Sequence, residues 1–127
     1  MYTGCSFIPI EIFVKDIEVK SSYHSNGNLE YKSTYKNNNL HGITKYWDES
    51  GNLISEATYS NGELHGLWIS YYNGGDIKSK IYYSYGLKHG REEFYYLNGQ
   101  IKSLAEYIDG EMVNNKIRWT ISGELIY

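Results

Sequence analysis

Residues 43–66 read ITKYWDESGNLISEATYSNGELHG, and residues 67–90 read LWISYYNGGDIKSKIYYSYGLKHG. The dipeptide His-Gly ends both stretches and also occurs at residues 41–42, so it recurs every 24 residues. A second series of glycines has the same spacing: Gly27, Gly51, Gly75, Gly99 and Gly123. A fixed period of this length indicates one supersecondary unit copied several times, with each copy packing against its neighbours.

Each copy contains the pattern of a β-hairpin. An aromatic residue stands four positions before the first-turn glycine, and an aliphatic residue stands two positions after it. A second turn follows at Gly62, Gly86 and Gly110, and Asn38 takes the glycine position in the first copy because asparagine tolerates positive φ. Two strands of about six residues per copy follow from this spacing. The copies are Lys20–Gly42, Ile43–Gly66, Leu67–Gly90, Arg91–Asn114 and a partial fifth, Asn115–Tyr127.

The predicted fold is therefore all-β, an antiparallel meander of stacked β-hairpins in a single elongated, twisted sheet. Residues 20–127 form the repeat domain, with four full copies and a partial fifth. Residues 1–19 lie outside the period, and the alternating Ile8, Ile10, Ile12 and Val14 predict a segment that caps the first copy. At the other end, the apolar edge near Tyr127 is expected to be available for strand pairing, including pairing in a homodimer.

Composition agrees with a strand-rich chain and limits its function. Fifteen tyrosines and one proline among 127 residues favour strands. One cysteine, Cys5, cannot form an internal disulfide, and 15 carboxylates against 12 Lys and Arg argue against nucleic-acid binding. Neither a secretory signal nor an apolar stretch of about 20 residues is present in the sequence, so we expect a cytoplasmic protein without membrane contact.

The residues that resemble catalytic or metal-binding groups fit the repeat better. His41, His65 and His89 belong to successive hairpins, which places them about 9–10 Å apart, whereas zinc requires neighbouring ligand atoms within about 3.5 Å. We therefore predict turn packing for these histidines, no metal and no cofactor. Asp48-Glu49 leads into a turn, while Glu93 is expected on the apolar face, paired with Lys45 or Arg91. Neither a nucleophile elbow nor a phosphate-binding loop occurs, so no catalytic residue is predicted and the chain is not expected to be an enzyme.

Alternation along the strands predicts which face is buried. Because the period is even, odd-numbered residues such as Ala57 and Tyr59 are expected on one buried face of every strand. If Trp47 pairs with Leu53 and Tyr59 with Leu67, two rows follow on the even face: Lys32, Tyr46, Ile54 and Tyr72, and Thr58, Trp68, Lys80, Phe94 and Lys102.

The even face carries rings that the repeat does not require, and such a patch suits a protein interface. The alternative is that these rings cover lysine stems, or that residues 1–19 fold over them. The predicted partner-binding residues are Tyr46, Trp68, Tyr72, Lys80, Tyr82, Phe94 and Tyr96.

The pattern Tyr-x3-Gly-x-Leu followed by Tyr-x2-Gly-x-Leu-x-Gly resembles the bacterial variant of the MORN repeat. It covers residues 20–127, and the copies at 43–66 and 67–90 match it best, while Val113-Asn114 replaces His-Gly in the fourth copy. Such sequences resemble MORN-variant antitoxins and toxin-immunity proteins. The resemblance implies an elongated, twisted stack of β-hairpins and a binding role.

We therefore expect an antitoxin or immunity protein that binds a cognate toxin, such as a nuclease or another intracellular enzyme, and covers its active or substrate-binding site. The alternative is a MORN-type scaffold that self-associates or contacts membrane lipids. The acidic residues expected to face basic groups of the toxin are Asp48, Glu49, Glu92, Asp109 and Glu111.

Overall fold

A computed structural model of the chain describes residues 17–127, and these residues form strands, turns and irregular segments without a helix. Residues 1–16 of the predicted capping segment lie outside the described residues. The strands are β1 (Ile17–Tyr23), β2 (Leu29–Lys36), β3 (Asn39–Leu40), β4 (Gly42–Trp47), β5 (Leu53–Ser60), β6 (Glu63–Tyr71), β7 (Ile77–Ser84), β8 (Leu87–Tyr95), β9 (Ile101–Ile108), β10 (Glu111–Met112), β11 (Ile117–Trp119) and β12 (Leu125–Ile126).

All twelve strands belong to one sheet in which spatial order follows chain order. The order is β1-β2-β4-β5-β6-β7-β8-β9-β11-β12, with β3 beside β2 and β10 beside β9. Every pairing is antiparallel. The predicted all-β meander of hairpins is confirmed. The pairing of a second copy at the β12 end stays a prediction.

The second turns are two-residue turns with positive φ at both central positions, the geometry that matches the twist of a hairpin. Asn61 and Gly62 have φ of 48° and 86°, and Asn37 and Asn38 have φ of 50° and 64°. The prediction that Asn38 replaces glycine at a positive-φ position is confirmed. The amide of Gly62 also donates to the carbonyl of Leu40 at 2.8 Å, which joins the turn to the preceding copy.

The prediction that odd-numbered residues of every strand share one face is wrong for β4, β6 and β8. It is also wrong for β1 and β11, where Lys20 lies opposite Ser33 and Arg118 lies opposite Ser103. Trp47 does pair with Leu53, but the register shifts between Tyr46 and Trp47, and Tyr46 lies opposite Ser55. The same bulge recurs between Ser70 and Tyr71 and between Phe94 and Tyr95. One extra residue at each bulge reverses the alternation. Even residues of β4, β6 and β8 therefore share a face with odd residues of β5, β7 and β9.

The corrected register defines two faces. One side, which we name the aromatic face, has a central row in which cross-strand partners follow one another: Thr44, Ala57, Trp68, Ile81, Glu92 and Ala105. Flanking positions on the same side are Tyr31, Tyr46, Tyr59, Leu64, Tyr83, Lys88, Phe94 and Tyr107. The opposite side, which we name the charged face, carries Lys45, Glu56, Thr58, Ile69, Lys80, Tyr82, Arg91, Glu93, Leu104 and Glu106.

Burial is confined to the aromatic face. The buried residues among 17–127 are Ser33, Thr44, Ala57, Ser79, Glu92, Ser103 and Ala105. All seven point to that side, and all except Glu92 have small side chains. The aromatic face is thus a floor of small residues with half-exposed rings standing beside it, as expected for a sheet that pairs large and small side chains across strands.

The His-Gly dipeptide marks a second irregularity. Between Ala57 and Tyr59 of β5, the partner strand β6 runs from Trp68 to Leu64 and has two extra residues. This places Leu64, rather than the predicted Leu67, opposite Tyr59. In the fourth copy, where Val113-Asn114 replaces His-Gly, β10 ends at Met112 and pairing with β9 resumes only at Ile117.

Candidate interaction surface

An apolar groove opens on the aromatic face above Ala57. Its volume is about 390 Å³, and Ala57, which is 3% exposed, forms part of its floor. The lining residues are Tyr46, Ile54, Ser55, Ala57, Tyr59, Leu64 and Trp68. Trp68 stays 37% exposed. A concave site with apolar walls and a few hydroxyl groups is suited to receive an apolar side chain.

The rings around the groove are held by their neighbours. The Trp68 ring lies 6.0 Å from that of Tyr83, and the Tyr46 ring lies 6.1 Å from that of Tyr31. Burial raises the pKa of Tyr46, and the nearby Tyr59 hydroxyl raises it further. The groove therefore has the neutral phenol of Tyr46 at its margin, and its Tyr46 and Trp68 rings lie beside neighbouring rings.

A charged cluster lies three strands from the groove on the same face. Glu92 is 2% exposed and accepts a hydrogen bond from Lys116 Nζ at 2.9 Å, while Lys88 Nζ contacts its other oxygen. Lys88 also lies over the Tyr107 ring at 4.8 Å. Burial by itself would raise the pKa of Glu92, but the hydrogen bonds from both lysines outweigh it and lower that pKa. The cluster thus combines one buried carboxylate with two ammonium groups.

Glu92 and Glu93 lie on the opposite faces from those predicted, with Glu92 on the buried side and Glu93 on the exposed side. Glu93 lies on the charged face and accepts a hydrogen bond from Tyr95 Oη at 2.7 Å, instead of pairing with Lys45 or Arg91. Lys45 pairs with Glu56 at 2.8 Å. The bulge at Phe94/Tyr95 causes the difference, because it turns Glu92 rather than Glu93 toward the buried side.

Two tyrosines of the charged face donate to carboxylates and should titrate late. Burial and the hydrogen bond from its hydroxyl to Glu56 at 2.8 Å together raise the pKa of Tyr71 to about 12. Burial and the bond to Glu93 likewise raise the pKa of Tyr95 to about 12.

Because the folded state raises these pKa values, the stability that they contribute is complete below an ordinary tyrosine pKa of about 10 and is lost as the pH rises toward 12. An ultraviolet titration of tyrosinate should therefore show a late phase that shrinks in Tyr71→Phe. A late phase that is unchanged in Tyr71→Phe and Tyr95→Phe would contradict the assignment.

The structure divides the seven predicted partner-binding residues among three places, and the two predicted rows are wrong. Tyr46, Trp68 and Phe94 lie on the aromatic face, and Lys80 and Tyr82 lie on the charged face. Sequence reasoning missed the groove residues Tyr59 and Leu64, because they become neighbours only in the shifted register.

Tyr72 and Tyr96 are at the first turns, where each joins two copies. Tyr72 Oη donates to the carbonyl of Tyr95 at 2.8 Å, and Tyr96 Oη donates to that of Trp119 at 3.0 Å. His24 Nε2 lies 2.8 Å from the carbonyl of Trp47 at the equivalent position. Each contact joins residues 23 positions apart, and together they hold neighbouring hairpins to one another at the strand ends where the first turns lie.

The acidic residues predicted to contact a toxin do not share one surface. Asp48 closes a first turn by accepting hydrogen bonds from Asn52, which lower its pKa. Asp109 belongs to a second turn, at the opposite ends of the strands, where its carboxylate lies 3.3 Å from His89 Nδ1. Glu92 is enclosed by its two lysines.

Two of the three histidines that recur every 24 residues pack against the next second turn. The amide of Tyr85 donates to His65 Nδ1 at 3.2 Å, and the two rings lie 4.5 Å apart. The amide of Asp109 donates to His89 Nδ1 at 3.4 Å. Across residues 17–127, no three His, Cys, Asp or Glu side chains are grouped so that they could hold a metal ion. Nor does this part of the chain form a helix long and apolar enough to cross a membrane.

The sequence of the repeats matches the model of a known repeat family. The model for the MORN repeat variant matches residues 19–37, 40–61, 64–85 and 88–109, more than half of the chain. The chain belongs to the MORN repeat variant family. No curated protein matches the sequence. A MORN repeat array is a scaffold for protein or membrane interaction and is typically non-catalytic.

The matched repeats locate the groove of the aromatic face. Each match from 40–61 onward contains one first turn and the strands around it, so neighbouring matches meet at the second turns. Tyr46 and Tyr59 come from the MORN repeat at 40–61, whereas Leu64 and Trp68 come from that at 64–85. The groove therefore lies between two MORN repeats.

Proposed function

We propose that the chain binds a protein partner through its aromatic face, with the groove above Ala57 at the centre of the interface. The observation that supports this most is the concentration of groove, half-exposed rings and small-residue floor on one side of the sheet. Trp and Tyr set in concave sites supply most of the energy of protein interfaces. The charged face pairs Lys45 with Glu56 and Arg91 with Glu106, as suits a solvated surface.

We further propose that the partner is a toxin and that the chain is its antitoxin or immunity protein. The resemblance of the repeats to MORN-variant antitoxins supports this role. Inhibition by occlusion needs a preformed surface and no catalytic group, and a hydrogen-bonded sheet loses little conformational entropy on binding. A long sheet face is also large enough to cover a substrate-binding surface.

The alternative scaffold role would include contact with membrane lipids. An anionic lipid surface attracts a cluster of several Lys and Arg. On the charged face, Lys45 and Arg91 are paired with carboxylates. Beside the first turns, Lys78 and Lys102 lie over the rings of Tyr72 and Tyr96 at 5.7 and 5.4 Å. These contacts favour a protein partner over a lipid surface.

Two matched substitutions test which face binds. Trp68 on the aromatic face and Tyr82 on the charged face are 37% and 42% exposed. With the partner co-purified from the native host, Trp68→Ser should weaken binding about 30-fold, equivalent to about 2 kcal/mol, because a central aromatic anchor is lost. The double variant Trp68→Ser, Phe94→Ser should lose binding, while Tyr82→Ser should stay within about twofold of wild type, measured by calorimetry on variants with matched thermal stability.

The functional arm uses co-expression with the partner. We expect the partner to arrest growth when expressed alone and to be harmless with the wild-type chain, whereas the double variant should fail to protect. Equal protection by the wild-type chain and the double variant would reject the aromatic face. A purified chain that captures no protein but sediments with anionic liposomes in a salt-sensitive manner would replace the proposal with the lipid scaffold.

A further inference from the structure

The aromatic face is cationic even though the chain has a net charge of −3. Among the described residues, the register and contacts place four cations on this face: Lys20, Lys88, Lys116 and Arg118. They place three carboxylates there: Glu18, Glu92 and Glu30, which accepts a hydrogen bond from Ser22 on this face. Four positive against three negative charges leave an excess of one on the side that carries the groove.

The excess is best defined at the cluster around Glu92. The Glu92 side chain is 3% exposed, whereas those of Lys88 and Lys116 are 34% and 26% exposed. One carboxylate neutralises one of the two ammonium groups, so one positive charge remains on these two partly exposed side chains. A second carboxylate can therefore approach both lysines from solvent without displacing Glu92, and charge-assisted hydrogen bonds of this kind are strong.

The groove and the cluster are joined along the central row. Ala57 lies in β5 and Glu92 in β8, with Trp68 and Ile81 as the successive cross-strand partners between them. Three strand spacings of about 4.8 Å give a separation of about 14 Å. An extended chain rises about 3.3 Å per residue, so this distance corresponds to about four residues. Side chains four residues apart in a strand point to the same side.

We propose that the partner presents an extended segment with an aromatic or leucine side chain in the groove and an Asp or Glu about four residues away, bound by Lys88 and Lys116. This inference rests on the proposed use of the aromatic face and adds the chemistry of what it recognises. A basic segment would meet the excess positive charge. Glu92 is buried, and each of its oxygens already accepts from a lysine, so it is poorly placed to bind such a segment.

A random dodecamer peptide display selected on the full chain tests this chemistry, and each enriched peptide is then measured for binding to Trp68→Ser. We expect enriched peptides to pair an aromatic or leucine residue with an acidic residue about four positions away. Replacing that acidic residue by its amide in a synthetic peptide should weaken binding about tenfold at low salt and much less at high salt.

The matched protein variant is Lys88→Gln, Glu92→Gln, Lys116→Gln, which keeps side-chain size and leaves no buried charge. It should bind the acidic peptide and its amide form equally, while Lys80→Gln on the charged face should preserve the tenfold preference. Peptides that bind Trp68→Ser as well as wild type would contradict the proposed use of the aromatic face. Peptides that need Trp68 but are basic, or that show no preference for the acid, would overturn this inference alone.

Discussion

Replacement of Gly66 by alanine is expected to reduce the free energy of unfolding by about 2–3 kcal/mol. Gly66 has a φ of 121°, which L-residues rarely adopt, and a Cβ there would lie 3.1 Å from Thr58 Cβ and Cγ2. Thr58 cannot turn away freely, because its hydroxyl donates to the carbonyl of Leu67 at 3.0 Å. Strain and a close contact therefore act at the same position.

Gly42 provides the matched control in the preceding copy. Its φ is 90°, but a Cβ there would lie 4.0 Å from Thr34, an ordinary contact distance. Gly42→Ala should show the backbone strain alone, about 1 kcal/mol. Thermal and urea unfolding followed by circular dichroism measure both variants. Equal losses for Gly42→Ala and Gly66→Ala would contradict the role assigned to Thr58.

Replacement of Glu92 by glutamine is expected to have an effect of similar size. The substitution keeps the shape of the side chain but leaves Lys88 and Lys116 without their carboxylate. Breaking a buried ion pair by removing one partner costs about 3–5 kcal/mol, and we expect about 2–3 kcal/mol here because solvent screens the partly exposed lysines. Urea unfolding at neutral pH measures this loss.

The same cluster determines how stability changes with pH. The lysines lower the pKa of Glu92 in the folded state, so its contribution is complete above the ordinary glutamate pKa and is lost as the pH falls through the lowered value. The hydrogen bond to Glu92 raises the pKa of Lys88, so that contribution is complete below the ordinary lysine pKa and is lost at more alkaline pH. Glu92→Gln should flatten the acid limb of the stability curve. A variant that loses stability but keeps the wild-type acid limb would contradict this assignment.

A triple replacement separates the ion pairs from packing. Lys88→Met, Glu92→Met, Lys116→Met removes all three charges together, and such replacements are often neutral or stabilising. We therefore expect its stability to be closer to wild type than that of Glu92→Gln. If the triple variant is the less stable of the two, the cluster contributes more to folding than the geometry indicates.

The 24-residue period was sufficient to predict the hairpins, their order and the positive φ at Asn38. The period preserves the positions of turn glycines and of the aliphatic residue after each first turn, and these local features fix the topology of a meander. The strand register, by contrast, depends on the single extra residue at the bulge of each copy. A bulge leaves the period unchanged and reverses every side chain beyond it, so the faces predicted for β1, β4, β6, β8 and β11 are wrong.

The sequence did contain one signal of the bulge. Under the predicted register, Arg91 and Glu93 would both lie on the buried face of β8, which is an unfavourable place for two charges. The bulge places them on the charged face, where Arg91 pairs with Glu106 and Glu93 accepts from Tyr95. Glu92 then becomes buried, and its two lysines come from positions 4 and 24 residues away. The more distant partnership depends on tertiary structure, so spacing within the strand did not predict it.

Site-specific photocrosslinking in the native host tests the central claim, that partners bind on the aromatic face. A photoreactive phenylalanine analogue replaces Trp68 in one variant and Tyr82 in another, two residues of similar exposure on opposite faces. We predict a crosslink to one partner protein from position 68 and none from position 82. A crosslink from position 82 alone, or from neither position while the partner still co-purifies, would contradict the assignment of the aromatic face.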